Sequence, residues 1–312
     1  MNILKDETVK EIQDKICEFM DISPEEVSDI QLLVGGMTNV SYVFRYRGER
    51  YIIRVPGVAT DTMISRREEA DCYNTVKGLG ICEDIIFIDP KTGYKISKFI
   101  ENSHVCDPKN KEDIATSFKT LCKLHDLNLK VGHTWNTYEK FALYDSVWTG
   151  QPTIFKDYEK MKKEIFDLKD YIDKYSEEYQ LVHLDSVYLN FLITNELDDK
   201  AGDSRAYLID WEYAAMQDPH VDIVCFGLFY DYNKEEMDWI IDKYFELRHQ
   251  TCSFETRTKI YALLATFALL WVSWSEAKRV EGQDFTEYAK GQYKYAQEYL
   301  QYVKERLRKK SA

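Results

Sequence analysis

No C-x-x-C pair occurs anywhere in the chain. The seven cysteines, Cys17, Cys72, Cys82, Cys106, Cys122, Cys225 and Cys252, are odd in number and scattered. Such spacing suggests neither a disulfide framework nor a zinc site. A basic surplus is also missing, since 41 Lys and Arg face 54 Asp and Glu for a net charge of −13. Nucleic-acid binding leaves a basic footprint that this balance lacks. An acidic field suits a cationic small molecule, and it equally suits a soluble surface. No leader is expected, since Met1 is followed within a few residues by the polar Lys5-Asp6-Glu7. The most apolar stretch, Ile260 to Val272, contains Tyr261 and Thr266 and is expected to be too short to span a bilayer. A reducing, cytoplasmic setting is the expectation from these absences. Internal repeats and low-complexity segments are absent too. A chain of 312 residues is long enough for one large domain or two lobes with a substantial core.

What is present is concentrated between Leu181 and Asp222. Two short apolar runs flank a polar loop, and each carries an acid in a telling place. His183, Asp185 and Asn190 form H-x-D-x-x-x-x-N, and Asp210 closes the run Tyr207-Leu208-Ile209 within I-D-W-E. This pairing has the layout of a kinase catalytic loop followed by a metal-binding turn. A carboxylate beside an acceptor hydroxyl is one requirement of that chemistry, and Asp185 fits it. Hard oxygen ligands for Mg²⁺ are another, and Asn190 and Asp210 offer them. The loop motif alone recurs by chance; its pairing with I-D-W-E is what favours the catalytic reading.

The N-terminal third reads as helix, then strands. Val9, Ile12, Ile16 and Phe19 give helical spacing over 6–20. Strands are expected at 30–34, 40–46 and 50–55, the first two joined by Gly35-Gly36-Met37-Thr38-Asn39. A Gly-rich turn between strands can cover a triphosphate with backbone N–H groups, which nominates Gly35, Gly36, Thr38 and Asn39; it can also be a plain hairpin. Arg54 sits on the third strand, where a cation can pair with phosphate. The helix expected over 65–77 should supply its acid, Glu69 or, alternatively, Glu68. A hairpin follows (85–88 and 94–100), and 101–103 breaks the pattern. A lobe boundary is therefore expected there, giving 1–100 and 101–312, with adenine bonded to backbone near Lys98 to Ile100.

The remainder is mostly helical. Ile114 to Leu127, Tyr138 to Leu168 with a loop at 148–153, Glu235 to Leu247, Lys259 to Lys278 and Phe285 to Arg308 carry helical spacing. His125 lies on an apolar face and reads as structural. Asp222 could buttress the catalytic loop. The run 223–232 is unusually aromatic, Trp271 and Trp274 lie three apart, and Tyr288, Tyr295, Tyr299 and Tyr302 recur at helical spacing. Core packing accounts for such stripes. Aromatic faces also bind a quaternary ammonium, which donates no hydrogen bonds.

These pieces together resemble the choline/ethanolamine kinase family, bacterial choline kinases above all, within the aminoglycoside phosphotransferase and protein-kinase-like superfamily. The resemblance rests on G-G-M-T-N (35–39), I-I-R-V-P-G (52–57), H-L-D-S-V-Y-L-N, I-D-W-E-Y-A, Y-D-Y (230–232), W-V-S-W (271–274) and E-Y-A-K (287–290). It implies an α+β, two-lobed kinase-like fold, with an antiparallel sheet in a small N-lobe and a larger, mostly helical C-lobe. It implies Mg-ATP and choline as partners, with ethanolamine or an aminoglycoside-type acceptor, or an inactive kinase-like binding protein, as alternatives. Asp185 would be the base, Asn190 and Asp210 the Mg²⁺ ligands, and Arg54 with Glu69 the nucleotide-side ion pair. Tyr213, Tyr232, Trp271, Trp274 and Tyr288 would line the choline pocket, with Glu212 and Asp185 supplying negative charge. Two departures stand out. The loop carries Leu184 before Asp185 and Ser186-Val187-Tyr188 after it, where relatives often carry Asn and Leu, and Gly227 replaces an acid of eukaryotic relatives.

Overall fold

The computed structural model describes residues 6–33, 39–57, 64–194 and 204–311. The chain divides into two compact units, 1–123 with 189–214, and 124–188 with 215–312.

In the first unit, helix α1 (Asp6–Met20) precedes strands β1 (Val27–Leu33), β2 (Val40–Tyr46) and β3 (Glu49–Val55). β2 and β3 meet through a two-residue turn at Arg47 (φ 49°) and Gly48 (φ 83°). Left-handed φ at both turn positions matches the twist of the flanking strands. β4 (Ile85–Ile88) and β5 (Lys95–Lys98) complete an antiparallel sheet of order β1-β2-β3-β5-β4. Period-2 alternation sends Phe44, Ile53 and Ile96, each fully buried, against Ile12 and Ile16 of α1. Helix α2 (Arg66–Val76) starts at Ser65, whose side chain accepts the Glu68 N–H.

The segment expected to break pattern after residue 100 instead contains strand β6 (Ser103–Val105). It pairs with β8 (Phe191–Thr194), which pairs with β9 (Arg205–Leu208). A three-residue strand is too short to display alternation. Helix α3 (Lys111–Asp126) follows β6 and donates the Thr120 hydroxyl to the Ala206 carbonyl.

The second unit is largely helical: α4 (Thr137–Trp148), α5 (Tyr158–Phe166), α6 (Lys169–Tyr175), α7 (His220–Leu228), α8 (Lys234–Leu247), α9 (Phe254–Val280) and α10 (Thr286–Ser311). Strands β7 (Gln180–Val182) and β10 (Ala215–Gln217) pair with each other. α9 corrects one expectation. At 27 residues it is long and apolar enough to cross a membrane, but 94% of its apolar window is buried inside the protein. Its apolar residues face all round because α4, α7 and α10 surround it. Tyr261 of α9 meets Tyr299 of α10 at 5.4 Å, and Tyr295 stacks on Tyr299 at 6.0 Å. Tyr299 and Tyr302 of the tyrosine stripe thus pack against Tyr261 of α9, and Tyr295 stacks on Tyr299 within α10.

Candidate active site

Arg54 lies opposite Lys95 in the β3–β5 ladder. Its guanidinium forks onto Glu69, with Nη2 to Oε2 at 2.8 Å and Nη1 to Oε1, and Nη2 also donates to the Gly93 carbonyl at 2.9 Å. Both partners are buried, Arg54 at 5% exposure and Glu69 at 1%. Burial opposes ionisation of Glu69, but the charge of Arg54 outweighs it and holds the carboxyl below its ordinary range. Glu68, the alternative partner, is exposed. Lys95 pairs with Glu83 at 2.5 Å and with the Tyr73 hydroxyl, a buried cluster that sequence reasoning missed. Isolated polar residues in a short strand give no signal of it.

Asn190 and Asp210 lie at the same end of the β8–β9 hairpin, where Ile209 N–H donates to the Asn190 carbonyl at 2.9 Å. Asp210 has φ 67°, a left-handed conformation that Asp tolerates better than most residues. Buried Trp211 anchors the turn by donating Nε1–H to the Leu208 carbonyl at 2.8 Å. Asp210 Oδ1 is buried without a hydrogen-bond partner, and its nearest cation, Arg54 Nη1, is 3.7 Å away. Burial and then the Glu212 charge push the Asp210 carboxyl up to about 7. Carboxylate oxygens of Glu69, Asp210 and Glu212 lie within 4.8 Å of one another. An orphaned carboxylate oxygen amid hard oxygen donors fits Mg²⁺.

Glu212 is placed with this cluster. Its Oε2 accepts from Asn39 Nδ2 at 2.9 Å and from Arg66 Nη1 at 3.3 Å. Tyr213, half-buried, follows in the same unit. Gly35, Gly36 and Thr38 lie outside the described residues. At the end of β5, Lys98 N–H donates to the Asp84 carbonyl, Phe99 N–H to the Arg50 carbonyl, and the Ile100 carbonyl accepts from Ser103 Oγ. These bonds narrow the backbone groups left for an adenine.

In the second unit, the loop bearing Asp185 follows β7. Asp222, on α7, accepts N–H bonds from His183 at 3.0 Å and Leu184 at 2.8 Å, and its carbonyl accepts the Ser186 hydroxyl at 2.7 Å. His125 Nε2 meets the same carboxylate at 3.0 Å, and its Nδ1 meets the Tyr244 hydroxyl at 2.8 Å. His125 thus fits the structural role expected of it. Burial opposes ionisation of Asp222, but the His125 contact and charge hold its carboxyl below the usual value. A buried trio of Lys259, Asp218 and His220 anchors the start of α7, with Lys259 Nζ 2.5 Å from Asp218 and 2.7 Å from His220.

Half-buried Asp185 has aromatic company that sequence reasoning only partly named. Its charge acts on the Tyr288 hydroxyl, which burial, first, and Asp185, second, push far upward. Tyr288 meets Phe229 at 6.1 Å, and Phe229 and Tyr230 each meet Tyr188 at 6.0 Å. Tyr188, Phe229 and Tyr230 were not selected from sequence; the aromatic density of 223–232 is the signal for the last two. Tyr232 is buried against Phe226 and Tyr230. Trp271 and Trp274 meet edge-on at 6.0 Å, and Trp274 packs on Phe285 at 4.8 Å. A Cβ at Gly227 would fall 2.3 Å from Met237 Sδ, so that position faces α8.

A strand cation paired to a helix acid, a carboxylate cluster fit for a divalent cation and a clamped H-x-D loop match a small-molecule phosphotransferase of the protein-kinase-like class. Residues 30–254 match the family described as choline/ethanolamine kinase. The chain belongs to that family, and so to the ATP-dependent phosphotransferases. Protein LicA of Haemophilus influenzae is 24% identical over 272 residues, covering 82% of this chain and 75% of that protein. The solved choline kinase LicA of Streptococcus pneumoniae is 25% identical with a TM-score of 0.77, covering 95% of this chain and 99% of that one. A choline/ethanolamine kinase family protein of Mesorhizobium loti shares the fold at a TM-score of 0.78 and 21% identity, covering 94% of each chain.

Proposed function

We propose that this protein transfers the γ-phosphate of ATP to the hydroxyl of choline, giving phosphocholine and ADP. The observation that carries the reading is the contiguous ring set Tyr188, Phe229 and Tyr288, of which the Tyr288 hydroxyl feels the Asp185 charge. Aromatic faces and one carboxylate suit a trimethylammonium group that cannot donate hydrogen bonds. Tyr232 joins this set through Tyr230, and Trp271, Trp274, Glu212 and Tyr213 are further proposed contributors.

In this reading Asp185 accepts the choline hydroxyl proton as the new O–P bond forms and the bond to ADP breaks. Asp222 presents Asp185 by holding the backbone before it. Asn190 and Asp210 would hold Mg²⁺, which when bound neutralises charge on the transferring phosphoryl group. Arg54, fixed by Glu69, presents a cation to the nucleotide phosphates, with Gly35, Gly36, Thr38 and Asn39 as the covering turn and the chain near Lys98 to Ile100 meeting adenine. The phosphate-covering sheet and helix fall within 1–100, and the catalytic loop, the proposed metal ligands and the acceptor-binding rings fall within 101–312. The acidic balance and the reduced, scattered cysteines favour a cytoplasmic enzyme without a nucleic-acid partner.

The test is ATP-coupled turnover of choline against ethanolamine at matched concentrations. Preferred turnover of choline is expected. Preferred turnover of ethanolamine would replace the acceptor, and turnover of neither would sink both in favour of an aminoglycoside-type acceptor or an inactive binding protein.

A further inference from the structure

Arg66 is the first residue of α2 and is buried, with 4% of its side chain exposed. Its Nη1 lies 3.1 Å from Glu69 Oε2 and 3.3 Å from Glu212 Oε2, and its Nη2 lies 3.3 Å from Asn39 Oδ1. Asn39 closes the triangle by donating Nδ2 to the same Glu212 oxygen at 2.9 Å. Arg54 already forks onto Glu69. Arg66 is thus the guanidinium shared between Glu69 and Glu212, inside the trio of carboxylates that fits a divalent cation. Two buried guanidiniums face three carboxylates there, so one further positive charge is wanted.

We propose that Arg66 is a resident counter-cation that competes with the divalent metal for Glu212. It is displaced when a metal–nucleotide complex arrives. This rests on the phosphotransferase reading of the site. A carboxylate oxygen already holding a guanidinium and an amide N–H has little room for a metal, so bare metal must break the clasp. A metal bearing phosphate offers the released guanidinium a new anionic partner, to which Arg bonds through paired N–H groups. The exchange makes metal and nucleotide binding mutually reinforcing, and thermodynamic linkage makes the reinforcement reciprocal. It also ties Asn39, at the end of the Gly-rich turn, to the occupancy of the metal turn.

The experiment measures Mn²⁺ binding by electron paramagnetic resonance, without nucleotide and then with ADP, in the wild type, Arg66→Gln and Arg67→Gln. Arg67 is the exposed neighbour and controls for loss of one positive charge. Arg66→Gln is expected to bind bare Mn²⁺ about tenfold more tightly, the scale of one charged hydrogen bond. It should also lose most of the gain in Mn²⁺ affinity that ADP produces in the wild type. Arg67→Gln should stay within about twofold of wild type on the same scale. Unchanged or weaker Mn²⁺ binding in Arg66→Gln would overturn the proposal, as would equal tightening in Arg67→Gln. If Arg66→Gln does not fold, Arg66→Lys, which keeps the charge but loses the fork, decides: tighter bare Mn²⁺ binding supports the clasp and unchanged binding overturns it. No acceptor is present in these measurements. Failure to phosphorylate choline would therefore sink the acceptor assignment while leaving this result standing.

Discussion

Asp222 Oδ1 accepts the Leu184 N–H at 2.8 Å while Leu184 holds a φ of 64°. A bulky side chain in the left-handed region is costly, of the order of 1 kcal/mol. The cost is met by bonds on both sides of the residue, since the Leu184 carbonyl accepts the Cys225 thiol at 3.0 Å. The strained residue immediately precedes Asp185 and so aims it. Asp222→Asn should lower kcat about 10- to 100-fold, part of what general-base catalysis contributes, while leaving KM for ATP near wild type. Steady-state kinetics with ATP varied at saturating acceptor checks this.

Asp185→Asn should lower kcat by about 10²–10⁴. Nucleotide affinity, measured by calorimetry, should be retained because Arg54 and Glu69 pair within the other unit. An unchanged kcat would take Asp185 out of its proposed role.

Arg54→Ala should destabilise the fold by about 1.5–3 kcal/mol, because buried Glu69 loses its forked guanidinium and keeps only Arg66 Nη1 at 3.1 Å. Urea unfolding monitored by tryptophan fluorescence reads this. Glu68→Ala, at an exposed position, should change stability by less than about 0.5 kcal/mol.

Trp274 and Tyr288 should behave differently. Trp274, at 8% exposure against Phe285, should lose about 3–5 kcal/mol of stability on truncation to Ala. Tyr288→Ala should instead raise KM for choline about tenfold with little change in KM for ATP, the scale of one cation–π contact. Equal rises in both KM values would mean that Tyr288 packs the fold and does not bind the acceptor.

The pH dependence of metal-free stability should carry the signature of Asp210. Its carboxyl is raised from an ordinary 3.8 to about 7 by burial and Glu212. A raised folded value favours the protonated native state, so this contribution is full below about 3.8 and is lost as pH rises toward 7. In chelator, Tm of Asp210→Asn minus Tm of the wild type should therefore grow between pH 5 and 8. A flat difference would show that the Asp210 environment does not favour its proton.

Some of this was legible before any coordinates. β2 and β3 follow from alternation and the Arg47-Gly48 turn, and α1, α8 and α10 from helical spacing, because local periodicity is what sequence records directly. Glu69 was separable from Glu68 only by seeing which side of α2 turns inward. β6 was invisible because three residues carry no period and its pairing partners lie some ninety positions away. The burial of α9 follows from its long apolar run, but its reach was underestimated because its polar first turns hide where it starts.

The sequence by itself determined the order of chemical parts: a Gly-rich turn, a strand Arg, a helix Glu, H-x-D-x-x-x-x-N and I-D-W-E. These are short-range patterns whose chemistry depends on residue type and spacing. Tertiary structure decided the company each part keeps. It placed Glu212 with Asp210 and Arg66, gave Asp222 the backbone of His183 and Leu184, and set Phe229 between Tyr188 and Tyr288. The physical reason is that buried charges and ring faces are satisfied by neighbours distant in sequence, and no local pattern names those neighbours.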